Sequence, residues 1–126
     1  MGIEIPLDGA FEIGGPGIRF EQITDGLSNT LLVGDKHVPR GYFGQGWLDN
    51  STYNGDYPQC FSRAAGPNFP LAQTQTEMSW SFGSYHTGIV QFGFCDGSVR
   101  PVPVNIDPTV LGWLASRNDG QTIPDF

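Results

Sequence analysis

The clearest pattern of apolar and polar positions in the chain predicts a β-hairpin in its last third. An apolar run over residues 89–95 is followed by Asp96-Gly97 and then by a β-prone run over residues 98–104. Two such runs joined by Asp-Gly are a strong hairpin signal and favour a type I′ turn, whose two central residues both have positive φ. Pro101 and Pro103 lack backbone N–H groups, so we expect the second strand at an edge of its sheet.

Two further strands and one helix are predicted from the same kind of pattern. The run Thr30–Val33 is rich in β-branched and apolar residues, and Met78–Phe82 alternates large apolar with small polar side chains. Asp107-Pro108 has the N-cap residue and the first-turn proline that begin helices, and the predicted helix continues to Arg117. Its apolar face is predicted to carry Val110, Leu111 and Leu114.

Composition favours short strands joined by many turns. The chain has 126 residues, of which 38% are hydrophobic and 15% charged, with 18 Gly and 10 Pro. This length suits one domain with its own core. We therefore predict a single mainly β domain over residues 1–126. Its architecture is expected to be an antiparallel β-sandwich or a strongly bent sheet, with one C-terminal α-helix packed on it.

Net charge excludes one class of partner. The formal charge is −7 with only 6 Lys and Arg, whereas nucleic-acid binding draws most of its affinity from a basic patch. Nucleic acid is therefore not expected as a partner.

No apolar run reaches the roughly 20 residues that a membrane-spanning helix needs, so no membrane segment is predicted in this chain.

Several of these segments resemble the DUF1559 family of prepilin-like proteins, also described as solute-binding. The likeness rests on His86 followed after nine residues by Asp96-Gly97, on residues 25–35 beginning with Asp25-Gly26, and on the C-terminal block 114–121. The family usually has Glu where this chain has Asp35. Members begin with a basic leader and a hydrophobic prepilin helix. This chain has neither, which suggests the soluble portion of a longer protein or a descendant without its anchor.

The sequence allows both a chemical and a structural role for His86. Histidine serves as acid, base or metal ligand near neutral pH, and a hydrolase that uses His86 is one alternative. The sequence has no G-x-S-x-G motif. We therefore expect a structural role, in which the ring donates to a backbone carbonyl or to Asp96 and holds the hairpin. Gly97 and the pair Asp25-Gly26 are expected to be structural turn residues.

Carboxylates and thiols raise two further possibilities. Ca²⁺ binds carboxylate and carbonyl oxygens, and a site built from Asp96, Asp107 and Asp119 is one hypothesis, although no EF-hand spacing is present. Cys60 and Cys95 are the only cysteines. They are equally compatible with a disulfide, which an exported protein favours, and with two separate core thiols.

The functional hypothesis that follows from the resemblance is non-enzymatic. It is an extracytoplasmic prepilin- or pseudopilin-like structural domain, located in the periplasm or at the cell surface. Its partners would be protein subunits of a filament or a type II secretion-like apparatus, including copies of itself. The alternative is a lectin-like module for carbohydrate or another solute. Its candidate binding residues are the aromatic side chains of Trp47, Tyr53, Tyr57 and Trp80.

Overall fold

A three-stranded antiparallel sheet lies at the centre of the structure. The structure is a computed structural model that describes residues 7–12, 14–51, 53 and 58–126. The strands pair in the order β1-β2-β3, and the helices are a short α1 and the C-terminal α2. The bounds are β1 Leu31–Gly34, α1 Pro58–Phe61, β2 Ile89–Phe94, β3 Val99–Pro103 and α2 Pro108–Ala115, with short 3₁₀ helices at Phe20–Gln22 and Leu27–Asn29.

The inner face of the sheet carries the core, and this confirms the mainly β prediction with a C-terminal helix packed on the sheet. Alternate residues of β2 are buried, as expected for a strand with one face in the core. In α2, Leu111 and Leu114 are fully buried and Val110 packs partly against them. The buried cluster consists of Leu31, Ala65, Leu71, Val90, Phe92, Phe94, Val102, Ile106, Leu111 and Leu114.

The hairpin forms where the sequence predicts it, but the predicted type I′ turn is wrong. Asp96 has negative φ, and only Gly97 is left-handed, with φ 86°. Gly97 N–H donates to the Phe94 carbonyl at 2.9 Å, and Phe94 N–H donates to the Ser98 carbonyl at 2.9 Å. This is the pattern of a tight turn followed by a glycine bulge. The Asp96 side chain bonds Ser98, and that local cap holds Asp96 at negative φ.

Close packing fixes the position of β1 against β2. Gly34 lies opposite Phe92, and a Cβ at Gly34 would overlap the Phe92 ring. The register shifts between Leu31 and Val33, where a bulge places Leu32 outside the regular pairing. Only glycine therefore fits at the end of β1.

The predicted strand over residues 78–82 is reduced to isolated bridges. Ser81 bridges Ala64 in parallel and Phe82 bridges Lys36 in antiparallel orientation. The segment also accepts a backbone hydrogen bond from Ala72. Its backbone groups are thus divided among three different segments, which prevents a continuous ladder. The β-prone start and the Gly14-Gly15-Pro16-Gly17 run also predict an edge strand followed by a turn over residues 1–17. Residues 1–6 and 13 of that stretch lie outside the described residues.

Within the described residues, no helix combines the length and the apolar character required to cross a bilayer.

Candidate functional site

Three Asp-Gly pairs, Asp25-Gly26, Asp96-Gly97 and Asp119-Gly120, build one end of the sheet. In each pair the glycine has positive φ, at 98°, 86° and 73° respectively, a conformation that side-chain-bearing residues rarely adopt. The three pairs are far apart in the sequence. Hydrogen bonds from residues 25–30 to the other two segments bring them together.

Asp25 fastens the C-terminal segment to this end. Its carboxylate accepts the N–H of Asp119 at 2.8 Å and the N–H of Gly120 at 2.9 Å. Its own N–H donates to the Arg117 carbonyl at 3.1 Å. Burial and, after it, the neighbouring Asp25 raise the pKa of Asp119. Both oxygens of Asp25 are engaged with backbone, which supports the predicted structural role.

Asp96 closes the hairpin turn and contacts the same segment. Its carboxylate accepts the Ser98 N–H at 2.9 Å and the Ser98 hydroxyl at 2.6 Å, and these bonds hold the pKa of Asp96 below its usual value. Asp96 N–H donates to the Leu27 carbonyl at 3.0 Å. The Arg100 guanidinium donates to the Ser28 carbonyl and lies 3.6 Å from the centre of the Phe94 ring.

His86 does not hold the hairpin, and the expected His86–Asp96 bond is wrong. The two residues lie at opposite ends of β2, whose six residues span about 20 Å at 3.3 Å per residue. His86 is exposed, and its ring makes no hydrogen bond within the described part of the chain. The open end of the hairpin is closed by backbone instead, since Val104 N–H donates to the Gly88 carbonyl at 3.0 Å.

We expect His86→Ala to leave the free energy of unfolding within about 0.5 kcal/mol of the wild type, because an exposed ring without partners contributes little. Urea denaturation followed by circular dichroism measures this. A loss above about 1.5 kcal/mol, the size of a buried hydrogen bond to a charged group, would restore the anchoring role.

His37 is the histidine that links two distant segments of the chain. This residue is buried, and its Nε2 lies 2.7 Å from the Glu77 carbonyl oxygen. The contact joins the segment after β1 to a loop 40 residues later. The sequence pattern around His37 carries no signal for this partner.

The three carboxylates considered for Ca²⁺ have separate local partners. Asp107 is the N-cap of α2 and accepts the Thr109 N–H at 2.7 Å, Asp96 is bonded to Ser98, and Asp119 accepts the Gln121 N–H at 3.0 Å. The described residues contain no group of three or more His, Cys, Asp or Glu side chains that could hold a metal ion. The calcium hypothesis therefore gains no support from their placement.

The disulfide alternative is wrong in this structure, because Cys60 and Cys95 are both free and buried. The Cys60 thiol donates to the Gly46 carbonyl at 2.7 Å, whereas Cys95 lies next to the hairpin turn, with its Sγ 4.0 Å from the Leu31 carbonyl. Burial raises the pKa of the Cys95 thiol, so it stays protonated at neutral pH.

The three described residues among the four aromatic residues considered for ligand binding lie in different surroundings. Trp80 is half-buried, and its indole N–H donates to the Ser62 carbonyl at 2.6 Å. Trp47 is exposed and packs edge-on against Tyr42. Tyr53 is almost fully exposed, and Tyr57 lies outside the described residues.

A polar network that the sequence does not reveal organises the segment between β1 and α1. The Arg63 guanidinium donates to the carbonyls of His37, Leu48, Gln59 and Ser62 at 2.6–3.2 Å. Burial lowers the pKa of Arg63 to about 10, so the side chain remains charged at neutral pH. Lys36 pairs with Asp49 at 2.7 Å, and this contact lowers the pKa of Asp49.

A cavity of about 1100 Å³ lies between residues 7–12 and 14, β1, residues 61–69 and α2. Apolar side chains from all four segments line it, among them Leu7, Leu32, Phe69 and Trp113. The spacing of apolar residues does not predict it, because its walls come from segments distant in the sequence.

The side of the sheet that points away from the core is a largely apolar face. We call it the outer face and define it by Val33, Ile89, Gln91, Gly93, Val99 and Pro101, of which Gln91 is polar and Val33 also borders the cavity. Val33 and Val99 are 57% and 69% exposed and lie on either side of Gly93 in the pairing register. Cross-strand partners share a face of a sheet, so the two valines flank a position without a side chain.

Comparison with known proteins is informative at the level of the family. A family model described as "Protein of unknown function (DUF1559)" matches residues 2–109. No match is found among curated proteins or among solved structures. The matched span contains Asp25-Gly26, His86 and Asp96-Gly97, whereas the C-terminal block from residue 114 lies beyond it. Because the match covers most of the 126 residues, the chain belongs to the DUF1559 family.

Proposed function

We propose that this chain is a non-enzymatic, extracytoplasmic prepilin- or pseudopilin-like structural domain. It would assemble with protein subunits of a filament or a type II secretion-like apparatus. The observation that carries the proposal is the outer face, an exposed apolar surface on the strands of the sheet. A face of this kind on an otherwise packed sheet is characteristic of protein–protein contact.

The shape of the outer face favours a helix as the partner element. Val33 and Val99 are on β1 and β3, on either side of β2, so they lie about 10 Å apart at the usual strand spacing. Gly93 lies between them, and the Val33 side chain leans over it, since a Cβ at Gly93 would come within 3.0 Å of Val33 Cγ2. The low surface formed in this way lets an apolar helix of a partner subunit, about 10–12 Å wide with its side chains, lie across the three strands.

The placement of the family motif residues supports a structural role for them. The Asp25 carboxylate accepts two backbone N–H groups, and the Asp96 carboxylate accepts the Ser98 N–H and hydroxyl. Because these carboxylates bind the protein's own backbone and side chains, we assign them to the fold and assign assembly to the outer face.

The experiment replaces Val99 with lysine in the source organism. We expect the wild-type protein to sediment in a high-molecular-weight fraction. Val99→Lys is expected to fold with an unchanged melting temperature but to be absent from that fraction. A charge at the centre of an apolar contact carries a desolvation cost of several kcal/mol. Sedimentation of detergent-solubilised envelopes, followed by immunoblotting, measures the distribution.

Phe20→Lys is the matched control, because Phe20 is 68% exposed and lies outside the sheet. The control is expected to sediment with the wild type. If Val99→Lys also sediments with the wild type, the outer face is not the assembly surface and the proposal fails.

A further inference from the structure

Two pairs of aromatic rings lie side by side in the chain, three of the rings on the loop that follows β1 and one on the segment before β2. We call these rings the aromatic platform and define it by Tyr42, which is half-buried, and by the exposed Phe43, Trp47 and Tyr85. Phe43, Trp47 and Tyr85 are 60%, 54% and 42% exposed. Phe43 and Tyr85 have ring centres 5.7 Å apart, and Tyr42 and Trp47 have ring centres 6.2 Å apart in an edge-on pair. The two pairs are joined through the peptide bond between residues 42 and 43.

Polar contacts attach the loop of residues 42–49 to the rest of the protein. The Asp49 carboxylate accepts Lys36 Nζ at 2.7 Å and the Gly44 N–H at 2.8 Å. Arg63 donates to the Leu48 carbonyl at 3.2 Å, and the Cys60 thiol donates to the Gly46 carbonyl at 2.7 Å. Gly46, Leu48 and Asp49 are thus tied to neighbouring segments of the protein, and Gly44 is tied to Asp49 within the loop. The rings project from a fixed base, which lowers the entropic cost of binding a ligand.

Tyr85 receives a similar anchor from its own hydroxyl. Its O–H donates to the Val38 carbonyl at 3.0 Å, which fixes the ring while 42% of the residue stays exposed. The hydroxyl end of the side chain is thus held by the protein, while the rest of the ring keeps an accessible surface for a ligand.

We propose that the aromatic platform binds neutral carbohydrate by stacking sugar rings on its exposed faces. The face of an aromatic ring is negative and attracts the weakly positive C–H groups of a sugar. The net charge of −7 disfavours nucleic acids and acidic polysaccharides, and stacking on ring faces suits a neutral sugar. This activity is separate from assembly, because the platform shares no residue with the outer face.

Polar side chains at the border of the platform supply the hydrogen bonds that sugar hydroxyls need. Arg40 Nη2 donates to Gln75 Oε1 at 2.5 Å, and Gln45 donates to the Gly41 carbonyl at 3.3 Å. Both Arg40 and Gln45 are exposed and retain further N–H groups for a ligand. A few polar groups around an apolar contact are the usual composition of a small-ligand site.

The test is affinity electrophoresis of the purified chain in gels that contain one neutral polysaccharide each: laminarin, xyloglucan, galactomannan, dextran or hydroxyethyl cellulose. We expect retardation by at least one of them. Trp47→Ala and Phe43→Ala are expected to weaken that retardation at least tenfold in apparent affinity, and Trp47→Phe is expected to retain part of it. Melting temperatures of all variants are measured alongside, so that a loss of folding is recognised.

Phe20→Ala is the matched control, since it removes an exposed ring of similar accessibility elsewhere on the surface. It is expected to bind as the wild type does. Absence of retardation by all five polysaccharides overturns the proposal, as does an equal loss in Phe20→Ala and in the platform variants. Failure of this test leaves the sedimentation of Val99→Lys unaffected, so the two proposals are judged separately.

Discussion

Arg63→Ala is expected to lower the free energy of unfolding by about 3 kcal/mol. The guanidinium donates to the carbonyls of His37 and Leu48 on one side and of Gln59 and Ser62 on the other. Alanine would leave several of these carbonyls without a partner, and each unsatisfied buried group costs about 1–3 kcal/mol. Water that reaches the more exposed carbonyls reduces the total.

Urea denaturation of the purified protein measures this loss. Arg63→Lys is expected to recover less than half of it, because an ammonium group cannot reproduce the planar fork of donors. Arg19→Ala serves as the control, since Arg19 is exposed and its ion pair with Glu21 is long, at 3.9 Å. A loss below about 1 kcal/mol, the value typical of one neutral hydrogen bond, would show that Arg63 does not organise this segment.

Asp25→Ala is expected to lower the free energy of unfolding by about 2 kcal/mol. The substitution removes both acceptors of the Asp119 and Gly120 N–H groups, and hydrogen bonds to a charged acceptor are stronger than neutral ones. Loss of these bonds releases the C-terminal segment from the 3₁₀ turn that follows Asp25. Denaturant unfolding gives the free energy. Hydrogen exchange is expected to show the loss of protection at the Asp119 and Gly120 amides.

Asp107→Asn is the matched control for the charge, because asparagine caps a helix about as well as aspartate does. It is expected to change stability by less than about 0.5 kcal/mol. If Asp25→Ala changes stability as little as Asp107→Asn does, the hydrogen bonds of Asp25 do not stabilise the fold. The presence of Asp25 in the family motif would then not be explained by stability.

Elements set by local chemistry were predictable from the sequence. The hairpin strands, the strand before Gly34 and the helix that begins after Asp107 all follow from apolar periodicity and end signals within a few residues. Asp25-Gly26 and Asp96-Gly97 were identified as turns for the same reason. The turn type was not, because the choice between two hairpin turns depended on the bond from Asp96 to Ser98.

Contacts between distant segments account for what the sequence did not reveal. Arg63 bonds carbonyls of irregular loops, and His37 meets Glu77 across 40 positions; neither partner has a recognisable pattern. The assignment of His86 failed for a geometric reason, since a residue before β2 and a residue after it cannot meet at one end of the hairpin. The sequence did not predict the outer face, because Val33, Gly93 and Val99 come from three different strands.

Site-specific photo-crosslinking at residue 33 shows whether the outer face of the sheet binds a partner subunit. A benzophenone side chain replaces Val33 in the protein expressed in its source organism, with residue 20 as the control position. We expect irradiation to link residue 33 to an apolar helix of a partner subunit, identified by mass spectrometry, and to leave residue 20 unlinked. Irradiation that yields no linked protein at residue 33, or the same products at both positions, would contradict the claim.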